Sequence, residues 1–112
     1  SMPLENVHWE ARLHLEKDCG TMVEVVECNH KRLEALMTHT KWKEEPGALD
    51  DVSEILAQLV EAVLEVNEPK ETRRVKAIVE TTLYAASDKL AATPGCESLR
   101  MLKSRIDRHD DD

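Results

Sequence analysis

Five histidines and three cysteines are the side chains of this 112-residue chain best suited to hold a metal or act as nucleophiles. Their spacing argues against both roles. His8, His14, His30, His39 and His109 contain no i, i+4 pair around a glutamate, the arrangement that puts two imidazoles and a general base on one helix face. Cys19, Cys28 and Cys96 form no C-x-x-C. Cys28 and His30 stand two apart, and on a helix such residues diverge by roughly 200°, so they do not share an ion. Carboxylate pairs are everywhere in a chain with 23 acids, which makes them uninformative for general acid–base catalysis. Gly20, Gly47 and Gly95 are isolated, so no loop is built to cradle phosphate. The expectation is a non-enzymatic protein with no metal, no cofactor and no small-molecule substrate.

Charge narrows the partners. The formal net charge of -8 disfavours nucleic acid or an anionic membrane as the main partner, since both are held largely by cationic contacts. No apolar run is long enough to span a bilayer. An odd number of unpaired-looking cysteines suits a reducing, cytoplasmic setting, with the nucleus equally open. Ser1 before Met2 reads as a residue left by tag removal, and Asp110, Asp111 and Asp112 close an acidic tail over 109–112.

The elements that would carry any site are helical. Only 3% of residues are aromatic, with no phenylalanine, so the core must be aliphatic, and glycine and proline fall near junctions. One all-α domain over 1–112 is expected: an up-down antiparallel bundle of about four helices. The first, 4–43, is unusually long. Leu4, Val7, Ala11, Leu15, Met22, Val25, Val26, Leu33, Leu36 and Met37 share an arc of about 120°, and Pro46-Gly47 closes the segment. A bend or break near Gly20 is the alternative to a continuous helix, because Asp18, Cys19, Gly20 and Thr21 are all mediocre helix formers.

Helix 49–66 starts on Asp50 and Asp51 and carries a broad face of Val52, Ile55, Leu56, Leu59, Val60, Val63 and Val66, wide enough for two neighbours. Helix 69–92 follows with Val75, Ile78, Val79, Leu83, Ala86 and Leu90, and a short helix 96–108 with Leu99, Leu102 and Ile106. Gly47–Glu68 holds six acids and no bases, whereas Pro69–Thr93 holds five bases and three acids, which favours these two helices as neighbours.

Two surfaces could bind. Trp9 and Leu13 lie one turn apart on the side of the first helix opposite its core stripe, with Val23 near the same line, and a helix apolar on two sides has two neighbours. This face suits a protein partner or a second copy, as in a scaffold, an adaptor or a coiled-coil-like homodimer. Asn29, on the stripe side, is the kind of residue that fixes register in an apolar seam, or else a wetted rim. The alternative surface is basic: Arg73, Arg74 and Lys76 with Arg100, Lys103 and Arg105 on helices three and four, for an acidic protein or nucleic acid. Trp42, off the stripe, is expected to pack beneath the Pro46-Gly47 turn.

Overall fold

The computed structural model describes residues 22–86 and 88–111. These residues form four α-helices, α1 (Met22–His39), α2 (Pro46–Val66), α3 (Pro69–Ala85) and α4 (Pro94–Asp111), and a 3-10 turn at Asp88–Leu90. No strand occurs among them.

Prolines set three of the four starts. Pro46, Pro69 and Pro94 each open a helix, where the missing N–H is one that the first turn leaves unbonded anyway. Glu45 is extended and its carbonyl accepts from Leu49 N at 3.0 Å, so α2 begins at Pro46, three residues before the Leu49 expected. Pro46-Gly47 is thus a beginning and not an end. Glu68 caps α3 by accepting from Lys70 N, and Thr93 begins α4 with its carbonyl accepting from Glu97 N at 3.0 Å. Asn67 ends α2 in the left-handed region at φ 56°, a conformation asparagine tolerates better than most residues, with its N–H donating to Val63 O.

The unusually long first helix is not found. The described helix α1 has 18 residues and ends at His39, short of Lys43, and the stretch before Met22, with Gly20, lies outside the described residues. In its last turn the Thr38 and Thr40 hydroxyls donate to Glu34 O and Leu36 O at 2.7 Å each. The chain then turns at Trp42–Glu44, which brings the indole inward. Helix α3 stops at Ala85 and not at residue 92. Ala86 is extended (ψ 139°), and Leu90 reaches the core from the 3-10 turn, which periodicity alone reads as one more helical position. Helix α4, expected short over 96–108, has 18 residues.

The central helix is α2, which packs against α1, α4 and α3. Leu49, Val52, Leu56, Leu59, Val60 and Val63 are fully buried on it, facing Val25, Val26, Leu33 and Leu36 of α1, Val75 and Val79 of α3, and Leu99 and Ile106 of α4. Burial of this aliphatic surface is the main force holding the helices together. Only Asn67 and Glu68 separate α2 from α3, so those helices run antiparallel. Gly95 sits against Leu49 and Asp50, so the starts of α2 and α4 adjoin and α4 runs alongside α2 in the same direction. A Cβ at position 95 would lie 2.9 Å from Asp50 Oδ1 and 3.1 Å from Leu49 Cγ; glycine is what allows this approach.

Three of the acids on α2 take no part in the charge pairing expected between 47–68 and 69–93. Glu54, Glu61 and Glu65 have no basic partner among the described residues, whereas Arg74 pairs with Glu71 of its own helix and Lys76 with Asp107 of α4. Apolar burial, worth far more than exposed ion pairs, decides the arrangement.

Candidate interaction surfaces

Of the expected apolar binding face, Trp9 and Leu13 lie outside the described residues. Val23, in the first turn of α1, is 61% exposed. A single exposed valine is ordinary for a protein surface.

The basic set is dispersed. Lys76 and Lys103 do meet, but on one carboxylate: Asp107 lies 3.2 Å from Lys76 Nζ and 2.8 Å from Lys103 Nζ. The hydrogen bond from Lys103 holds the Asp107 carboxyl below its ordinary range, and the same bond raises Lys103. Arg100 Nη2 donates to Ala91 O at 2.9 Å, tying α4 back to the turn before it. Arg74 pairs with Glu71 at 3.6 Å, while Arg73 and Arg105 are exposed on different helices. Asp107 and Glu71 thus offset three of these six cations, Lys76, Lys103 and Arg74.

Arg74 belongs to a second cluster, where α1 meets α3. Glu71 Oε2 lies 3.5 Å from His30 Nε2 and Glu71 Oε1 faces Arg74. His30 is buried, and its pKa is lowered, first by loss of solvent and then by the Arg74 cation; Glu71 and Glu27 act the other way without overcoming this. The folded state therefore holds His30 neutral. Because the unfolded chain binds the proton more readily, stability rises with pH across this titration: the His30 contribution is present above about 6.5 and is lost as pH falls below it. We expect the unfolding free energy to drop between pH 7.5 and 5.5, measured by urea denaturation, and His30→Gln to flatten that slope. An unchanged slope in the variant would place the titration elsewhere.

A third polar group is fully internal. Asn29 is 0% exposed, not a wetted rim; its Nδ2 donates to Val25 O at 3.1 Å, and its Oδ1 accepts from Arg32 at 3.4 Å. Arg32, 8% exposed, also donates to Gln58 Oε1 of α2 at 3.2 Å. Nothing in the apolar periodicity marks Arg32 as buried. It falls on the flank of the stripe, as does Cys28, and both are covered because α1 is buried over a wider arc than its aliphatic residues outline. Cys28 and Cys96 are both buried, and among the described residues no three His, Cys, Asp or Glu side chains come together as metal ligands would.

Besides a polar recess of about 440 Å³ on α3, lined by Arg73, Lys76, Ala77, Glu80 and Thr81, two more apolar grooves open among the described residues. The first, about 390 Å³, lies between the end of α1 and α3, lined by Met37, Trp42, Lys43, Ala77, Ile78, Thr81, Thr82 and Ala85. Trp42 is part of its lining, and Lys43 Nζ stands 5.7 Å from the indole centroid. Beside this groove the outer strip of α3 exposes Ala77, Thr81 and Tyr84, the last 90% exposed. The second groove, about 400 Å³, runs between the first halves of α2 and α4, with Ser53, Ala57 and Leu102 below, Asp50 and Glu54 on one lip and Met101, 68% exposed, on the other. Tyr84 and Met101 each sit next to a core residue but off its stripe, and helical spacing alone places them outward. No helix among the described residues is long and apolar enough to cross a membrane. No family model, curated protein or solved structure matches the chain.

Proposed function

We propose that this chain is a non-enzymatic protein-interaction module, holding an amphipathic helix of a partner protein in the groove between α1 and α3. The observation that carries the reading is the pairing of an indole in the lining, Trp42, with an exposed tyrosine, Tyr84, on the adjacent strip of α3. Aromatic side chains beside an open apolar recess are the usual anchors of binding energy, because they bury much area for little conformational entropy. Ala77 and Thr81 keep that strip low enough for a helix to approach.

The Trp9, Leu13 and Val23 face of the first segment is a second proposed contact of the same kind, resting on the helical spacing of these three apolar residues. Replacing Trp9 and Leu13 by glutamine tests it through association measured against an unchanged melting curve. The basic side of α3 and α4 as a site for an acidic partner has weaker support, since Lys76 and Lys103 share Asp107.

The groove is tested with a photo-crosslinking residue at position 84 and, as control, at exposed position 45, in the cells from which the chain derives. A discrete adduct at 84, absent at 45 and lost when Ala77→Arg closes the recess, supports the reading. An adduct that survives Ala77→Arg, or none at all, overturns it. Light scattering across concentration shows whether the captured partner is a second copy.

A further inference from the structure

The groove between α2 and α4 is a separate surface with different chemistry. From Glu54 to Glu65 the exposed side of α2 runs about 16 Å and presents Glu54, Glu61 and Glu65 within a narrow arc. All three are exposed and without a basic partner among the described residues, whereas Asp50 is engaged beside the first turn of α4, its Oδ1 close to Gly95. Glu54 borders an apolar recess, with Ala57 and Leu102 at its base and Met101 projecting from the far lip, and Glu61 and Glu65 continue the same line of α2 one and two turns beyond it. A flexible thioether over an apolar trough adapts to varied side chains, and unpaired carboxylates along one edge select the sign of what lies there.

We propose that this groove receives a basic amphipathic segment of a partner protein, its apolar side chains between Met101 and Ala57 and its lysines or arginines against Glu54, Glu61 and Glu65. The argument for this occupant is charge complementarity: the acids of α2 lie on one line that starts at the recess, and the opposite lip is neutral at Met101. Arg105 and Arg108, one and two turns beyond Met101, are the cations that work against it. The inference is independent of the α1–α3 groove and survives or fails separately.

The test uses the whole chain and a labelled synthetic Leu/Lys amphipathic peptide of about five turns, with a scrambled peptide of the same composition as control. Fluorescence anisotropy is expected to show the amphipathic peptide binding at least about tenfold more tightly than the scrambled one, and weakening by about tenfold or more when salt rises from about 50 to about 500 mM. Ala57→Arg, which fills the recess, and the triple change Glu54→Gln, Glu61→Gln, Glu65→Gln should each weaken binding by a further factor of about ten. Neutralising Glu34, Glu44 and Glu45, exposed on α1 and in the turn after it, should leave it unchanged, and Arg105→Gln should tighten it. Circular dichroism confirms that each variant is folded; Met101→Gln, at an exposed position, repeats the test should Ala57→Arg not fold. Equal binding of the two peptides, or equal loss from the two glutamate sets, overturns the proposal by reducing the effect to net charge. Self-association of the wild-type chain that Ala57→Arg abolishes overturns it in favour of a second copy as occupant.

Discussion

Replacing Trp42 by alanine is expected to lower the unfolding free energy by about 3 to 5 kcal/mol. The indole is the one aromatic in the described core and only 8% exposed, lodged in the turn that joins α1 to α2. Its truncation removes apolar burial and leaves a void between α1 and α3 that rigid aliphatic neighbours fill only partly. A domain of this size is stable by about 5 to 15 kcal/mol, so the change consumes about a fifth or more of the total. Urea denaturation followed by circular dichroism measures it, and Trp42→Leu should cost less by keeping part of the contact. A loss below about 1 kcal/mol would put the indole outside the core.

The second large effect concerns a residue that apolar periodicity undervalues. Asn29→Leu keeps the number of side-chain heavy atoms and is apolar, yet we expect it to destabilise by about 1 to 3 kcal/mol, because the buried Arg32 loses one of its two acceptors among the described residues. The double variant Asn29→Leu, Arg32→Leu should be less damaging than the sum of its single changes: with the cation gone, only Gln58, which is half-buried and can turn to water, is left to satisfy. Strict additivity in the double-mutant cycle would show that Asn29 and Arg32 do not act together.

These two residues show where sequence reasoning reaches and where it stops. The aliphatic stripes of α2 and of α1 after Met22 are legible because burial on one side of a helix imposes its own period. Helix ends are less so: Pro46-Gly47 reads as a stop or a start with equal local logic, and the end of α1 at His39 leaves no mark in the apolar pattern. Leu90 has the right spacing for a helix and the wrong backbone. The buried state of Arg32 and the groove lined by Trp42 depend on which helices meet, which a single chain's periodicity does not encode. Tyr84 and Met101 could have been found, since each lies off the stripe of its helix.

The parallel pairing of α2 with α4 bears on how the chain reaches its native state. Helices α1 and α2 are consecutive and can close on each other as soon as both exist, but the partner that covers Leu49, Val52 and Leu56 near the start of α2 begins only at Pro94. During synthesis that surface stays open while α3 is being made, and docking of α4 then closes a long loop, the slowest kind of contact to form. A chain cut before Pro94 would leave this side of its central helix bare, so the last helix works as an internal chaperone for the second.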